Sequence, residues 1–180
     1  MSVGALRATV LAGALVAAAA TDLAAQRRRA RDEDPRVRAT DPCTVDAVTD
    51  GDTIRCVDGR RIRLLLVDAP ELAQRPWGQR SRTALERLAP RGSVLKVETD
   101  RRPRDQYQRL LAYLYAADGT FINREMVAQG WAVSLVYREN DRYEMQVRTA
   151  EMTARLRRTG LWKDGAFDCR PADFRKKRCG

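Results

Sequence analysis

Four carboxylates and two arginines are spaced in this chain so that they could handle a phosphate. Asp50-Gly51-Asp52-Thr53 sets two carboxylates beside a turn. Arg63-Leu-Leu-Leu-Val-Asp68-Ala69-Pro70-Glu71 ends an apolar run with two more, and Arg109 closes an arginine-rich stretch just before another apolar run. Charges buried at strand ends are costly unless they are paired or metal-bound. Asp52, Asp68 and Glu71 gathered together would repel one another without a cation. Oxygen-only ligands completed by water suit a hard ion, Ca2+ or Mg2+. Two guanidinium groups nearby suit a phosphate that gains negative charge. Each piece alone has a plainer reading: a turn, a strand terminus, a structural ion pair. The chain contains no histidine. That removes histidine bases, Ser-His-Asp triads, Cys-His dyads and His-ligated zinc, so carboxylates, backbone oxygens, Lys, Arg or Tyr must carry any acid–base or metal chemistry.

The elements that must position these groups read mainly as strands. Runs rich in apolar and β-branched residues flank Asp50-Gly51, a strong hairpin signal. The pattern predicts a meander of strands over 43–50, 53–58 and 61–67, the third ended by Pro70, which cannot donate to a ladder. A helix is expected over 78–88, with Ala84, Leu85 and Leu88 on its buried stripe and Pro90 and Gly92 beyond it. A fourth strand follows at 94–99, a basic loop at 100–109 and a fifth strand at 110–116. Helices are expected over 122–129, with Gly130 as its C′ residue, and over 143–159. In an ideal strand Arg63 and Asp68 point to opposite faces. They can share a site only if the third strand bends, bulges or ends near Val67. Five short strands with a helix after the third suit an α+β, mainly β architecture: a small, partly open barrel of the OB type, which commonly binds oligonucleotides.

The 180 residues suit one domain with tails and exclude a multidomain enzyme or a (β/α)8 barrel. Lys and Arg total 34 against 24 Asp and Glu, a net charge of +10 that draws polyanions. The first 25 residues read as a signal peptide: Arg7 precedes an apolar run, Ala8 to Ala20, too short to span a bilayer, and small residues offer a cut after Ala20 or, preferred, Ala25. Residues 26–41 read as a charged, disordered linker, 42–163 as the domain and 164–180 as a basic tail. Export to the periplasm or medium, with no stable membrane association after cleavage, makes the four cysteines candidates for disulfides. Facing residues of a hairpin have position numbers of nearly constant sum. Cys43 and Cys56 centre on 49.5, next to the predicted turn, so they face each other or nearly so. Cys169 and Cys179 pair by elimination. A monomer is the default expectation.

Together these motifs resemble the staphylococcal nuclease (thermonuclease) family. Asp-Gly-Asp-Thr, Arg-Leu-Leu-Leu-Val-Asp-x-Pro-Glu, Asp-x-Tyr-x-Arg-x-Leu-Ala-Tyr and Asn-x-x-Met-Val-x-Gln-Gly occur in the family's order from about Cys43 to Trp162. The resemblance implies an OB-type five-stranded barrel with three helices and calcium-dependent hydrolysis of DNA and RNA with little sequence specificity. It implies Asp52, Asp68 and the Ala69 carbonyl as Ca2+ ligands, with Asp50 and Thr53 behind them. Glu71 resembles the residue assigned as general base, and Arg63 and Arg109 the two arginines on the scissile phosphate. Tyr107 and Tyr137 resemble nucleotide-contacting tyrosines. Three departures stand out: Gln108 replaces a glycine, the 71–78 segment is shorter, and Tyr137 aligns across a one-residue gap. The competing expectation is a catalytically silent nucleic-acid-binding module on the same fold. Such a module loses the acidic and arginine set that this chain keeps. A basic DNA-compacting protein acting through charge alone leaves the embedded acidic residues unexplained.

Overall fold

The computed structural model describes residues 39–179 apart from Arg138. The expected signal peptide and residues 26–38 of the expected linker lie outside these. Strands β1 (Cys43–Asp50), β2 (Thr53–Cys56), β3 (Arg61–Leu64), β5 (Val94–Arg104) and β6 (Leu110–Tyr115) close into a barrel in the order β1-β2-β3-β6-β5. Strands β4 (Leu66–Asp68) and β7 (Val133–Leu135) form a separate two-stranded sheet. Helix α1 (Trp77–Leu88) follows β4, α2 (Ile122–Ala128) follows β6, and α3 (Glu144–Leu156) follows β7. A 3-10 turn (Gly160–Asp164) and a short helix α4 (Pro171–Arg175) end the described chain. The OB-type barrel with its three longer helices is therefore present, and a small second sheet and α4 are added to it.

The core explains the order. Val45, Ile54, Ile62, Leu64, Leu95, Leu110, Leu114 and the α2 residues Ile122 and Met126 are all buried in one cluster. Inward residues of short strands fill a barrel of this size without leaving a channel. Parallel pairing of β3 with β6 matches Ile62 with Leu110 and Arg63 with Leu111. It sets the segment that carries Arg109 beside the one that carries Arg63.

Three local expectations change. The third strand does not run unbroken from 61 to 67. It stops at Leu64, and Leu66 adopts φ 61°, in the left-handed region that bulky residues rarely enter. Leu65 N still donates to Ala112 O, after which the chain turns out of the barrel to pair with β7. The buried side chain of Asn123 bridges this break: Nδ2 donates to Leu65 O and Ala112 O, and Oδ1 accepts from Leu114 N. Secondly, the expected basic loop 100–109 is strand as far as Arg104, and only 105–109 turns. Gln108 has φ 61° there, a conformation that glycine would adopt without strain. Thirdly, Cys43 and Cys56 are near neighbours across the hairpin, as expected, but not directly opposite. Regular pairing from Asp50 and Thr53 would set Cys56 opposite Ala47; two irregularities in β1 bring it opposite Val45 instead, nearer to Cys43. The disulfide Cys43–Cys56 forms diagonally, across a Cα–Cα distance of 5.4 Å, within the usual range. The tail also folds. Ala166, Phe167 and Pro171 are buried, and Cys169 pairs with Cys179 around α4.

The bridge at Asn123 gives a stability prediction. Asn123→Ala leaves Leu65 O and Leu114 N without their side-chain partner in a dry interior. Urea unfolding followed by tryptophan fluorescence should show a loss of about 3 kcal/mol, the scale of two or three orphaned buried polar groups.

Candidate active site

The hairpin turn, the strand break and the start of β6 deliver their polar groups to one cleft. It is lined by Asp50, Asp52, Arg63, Ala69, Glu71 and Arg109, with Tyr107, Tyr137 and Arg175 on its walls. Gly51 is required in the turn, because a Cβ there would collide with Ser81 and Ala69. Asp50 Oδ1 accepts from Asp52 N at 3.1 Å and so fixes the turn. Asp52 Oδ1 accepts from the Thr53 hydroxyl at 3.1 Å, and its Oδ2 accepts from Ala69 N at 2.9 Å. The Asp-Gly-Asp-Thr turn is thereby locked to the segment after β4.

Arg63 lies at the centre and is only 8% exposed. Its Nη1 donates to Leu64 O at 3.0 Å and Val67 O at 2.6 Å. Its Nη2 lies 3.1 Å from Asp52 Oδ2 and 3.5 Å from Asp68 Oδ1. The break at Leu65 and Leu66 resolves the parity problem, since after it Asp68 comes round to the face that Arg63 already occupies. Arg109 sits on the other side, half-buried. Asp105 Oδ2 accepts from its Nε at 2.7 Å and Asp105 Oδ1 from its backbone N at 2.9 Å. Asp105 engages Nε alone, which leaves the terminal nitrogens of Arg109 to meet a ligand. The Tyr107 ring stacks near the Arg109 guanidinium, 5.5 Å from its centroid. Tyr107 and Tyr137 are about half exposed and also line the adjoining cleft that Arg63 and Arg109 share.

The acidic side is electrostatically strained. Burial, reinforced by the neighbouring Asp52 carboxylate, pushes the Asp50 carboxyl up to about 6. Burial also raises Asp68, against the opposing pull of Arg175 and Arg63. Oxygen donors from Asp52, Asp68 and the Ala69 backbone form a hard-ligand set, and a cation among them would relieve the repulsion that raises Asp50. These residues therefore fit a divalent hard ion. Among the described residues no three acidic side chains are drawn into a ready-made cage. Guanidinium groups hold them instead.

Of the predicted site residues, Asp50, Asp52, Arg63, Ala69, Glu71, Tyr107, Arg109 and Tyr137 line this cleft, Thr53 and Asp68 contact its lining, the cysteines lie in the two disulfides, and three neighbours were not foreseen. Asp105 lies within a quoted motif, four residues before Arg109, and its partner spacing was the available signal. Gln74 is buried; its Oε1 accepts from Glu71 N at 2.9 Å and its Nε2 donates to Cys169 O at 3.2 Å. Arg175 contacts both Asp68 and Glu71. Only the flanking Cys169 and Cys179 hinted that its segment was built.

Residues 61–164 match the family model described as staphylococcal nuclease homologue. The chain is similar to the endonuclease YncB of Bacillus subtilis (strain 168), 34% identical over 134 residues, covering 69% of this chain and 63% of that protein. It is similar to the thermonuclease of Staphylococcus intermedius, 32% identical over 127 residues, covering 66% of this chain and 74% of that one. It is also similar to an uncharacterized endonuclease of Escherichia coli O157:H7, 38% identical over 120 residues, covering 65% of this chain and 74% of that one.

The raised Asp50 gives a pH prediction. Its folded pKa, about 6, lies above the unfolded carboxylate value near 3.8. The fold therefore disfavours ionised Asp50. The penalty is full above about pH 6 and is relieved as pH falls through 6 toward 4. Asp50→Asn keeps the acceptor for Asp52 N and removes the charge. In chelator, thermal unfolding should show the variant more stable than wild type at pH 7, with the gap closing by pH 4.

Proposed function

The chain belongs to the staphylococcal nuclease family, and on that premise we propose that it is an exported, calcium-dependent endonuclease. Its substrates are DNA and RNA, whose phosphodiester bonds it hydrolyses with little sequence preference. The observation that carries this reading is the convergence of Asp52, Ala69, Glu71, Arg63 and Arg109 on one cleft, with Asp68 held against Arg63 behind it. A silent binding module has no use for buried carboxylates opposed to two arginines. The two disulfides support export, because such bonds persist in oxidising compartments.

Asp52, Asp68 and the Ala69 carbonyl would hold the ion, which when bound supplies Lewis-acid polarisation of the phosphoryl oxygen. Arg63, immobilised by two carbonyls, presents a guanidinium whose orientation is set before substrate arrives. Arg109, oriented by Asp105, approaches from the opposite side. A phosphate between them would meet the terminal nitrogens of Arg109, and the Nη2 of Arg63 once Asp52 and Asp68 turn to the ion, where charge grows in the transition state. Glu71, at the cleft margin and anchored through its backbone by Gln74, orients a water or takes its proton. Tyr107 and Tyr137 offer exposed rings on which bases stack without being read, which favours flexible or single-stranded sites. The net charge of +10 gathers the polyanion and makes binding salt-dependent.

Plasmid digestion by the purified protein, with calcium and with excess chelator, tests the reading directly. Cleavage should require calcium, and undiminished activity in chelator would refute the proposal. Arg63→Lys and Arg109→Lys should each fall by about 10²-fold or more in rate while remaining folded. A point charge replaces a planar two-nitrogen donor poorly, and loss of one transition-state donor has this scale.

A further inference from the structure

The tail reaches the acidic side of the cleft from far along the chain. Arg175 Nη1 donates to Asp68 Oδ1 at 2.9 Å and to Glu71 Oε1 at 2.8 Å, while its Nη2 donates to Asp68 Oδ2 at 3.2 Å. One guanidinium thus engages both oxygens of Asp68 and reaches Glu71 as well. The segment that delivers it is built. The Cys169–Cys179 disulfide brackets α4 at a Cα–Cα distance of 5.8 Å. Arg170 pairs with Glu151 at 2.7 Å, and Pro171 at the start of α4 is buried. Gln74 bonds to both Glu71 N and Cys169 O, so the residue that positions Glu71 also moors the tail.

We propose that Arg175 is a further residue of this site: a tethered counter-ion that competes with the divalent cation for Asp68 while it holds Glu71 beside it. It thereby sets the cation concentration at which the site fills. The inference rests on the cation-dependent reading above. A hard ion must approach a carboxylate oxygen to about 2.3–2.6 Å. At Asp68 both oxygens already carry guanidinium donors, and an ion at bonding distance would meet a positive charge within a few ångströms. Sharing is therefore unfavourable, and one cation displaces the other. Because Arg175 is attached to the chain, its effective concentration at Asp68 is fixed by the clasp and cannot be diluted. The antagonism is reciprocal: if the tail weakens cation binding, the cation weakens tail docking by the same factor. Once released from Asp68, the Arg175 side chain is a third guanidinium at the mouth of the cleft.

Calorimetric titration of the full chain with calcium tests this. Arg175→Gln should bind calcium more tightly than wild type by about fivefold or more, within the usual range for coupled sites. Arg175→Lys should fall between them, since an ammonium cannot hold both Asp68 oxygens in a fork. Arg178→Gln removes the same charge from the tail, but Arg178 pairs with Asp173, at 3.9 Å, and not with the site acids. It should stay within about twofold of wild type, because exposed distant charges are screened. The Cys169→Ser/Cys179→Ser variant, which opens the clasp, should also bind more tightly, and it carries the test if Arg175→Gln does not fold. In wild type, saturating calcium should accelerate amide hydrogen exchange across residues 172–178, and Asp68→Asn should abolish that effect. Equal affinities for wild type and Arg175→Gln, or equal shifts for Arg175→Gln and Arg178→Gln, would overturn the inference and leave the cation reading standing. If neither wild type nor Arg175→Gln binds calcium, the cation reading itself fails and takes this inference with it.

Discussion

A guanidinium buried to the extent of Arg63 must find an acceptor for nearly every donor it carries, and the site is arranged around that demand. Two acceptors are carbonyls of its own segment, Leu64 O and Val67 O. Val67 O can reach back only because the chain turns at Leu65 and Leu66. The other acceptors are carboxylates from the hairpin turn and from the far side of the break, Asp52 and Asp68. Remove the turn and Arg63 loses both a carbonyl and a carboxylate; remove Arg63 and two buried acids face each other. Each feature makes the other tolerable. The left-handed Leu66 is held from outside by the Asn123 amide, which bonds to Leu65 O. A residue 58 positions beyond Leu65 thus takes part in aiming Arg63.

The charge pattern has two scales. The chain as a whole is strongly basic, while within the cleft burial and the neighbouring Asp52 carboxylate push Asp50 up to about 6. Arginines mediate between the two. Arg63 neutralises from beneath, Arg175 from above, and Arg109 is kept apart by Asp105, which occupies it without quenching it. Arg109 therefore keeps its terminal nitrogens, whereas those of Arg63 are engaged by carbonyls and carboxylates and those of Arg175 by carboxylates. A long polyanion is attracted by the outer field and meets carboxylates set among arginines only where the reaction would occur.

Much of this was legible in the residues. The Asp-Gly turn, the apolar runs and the helix stops placed the barrel strands closely, because hairpin and core patterns are local. The parity argument required a break between Arg63 and Asp68 and named the region, though not the residue. What stabilises the break could not be read, since Asn123 lies in another element and its role exists only after β3 and β6 pair. The hairpin sum rule placed Cys43 and Cys56 near each other but set the turn too early, and missed the two irregularities in β1 that bring Cys56 within reach of Cys43. Bulges arise from how the barrel closes and leave no mark in an alternating pattern. The tail defeated the reading for a simpler reason. A run of lysines and arginines looks like a solvated end, and nothing local tells that one member turns inward to acids 107 residues earlier.

That separation has a consequence for the order in which the molecule is made. Chains emerge from the ribosome N-terminus first, and domains generally begin to fold in that direction. The residues of the hairpin, the break and the barrel are all synthesised before α4. The acidic wall of the cleft is therefore complete while the arginine that will cover it has yet to be polymerised. Every strand of the barrel precedes that arginine in the chain, and none of their pairings uses it. A chain cut short before α4 would carry every barrel strand, with Asp68 and Glu71 stripped of their arginine partner from the tail.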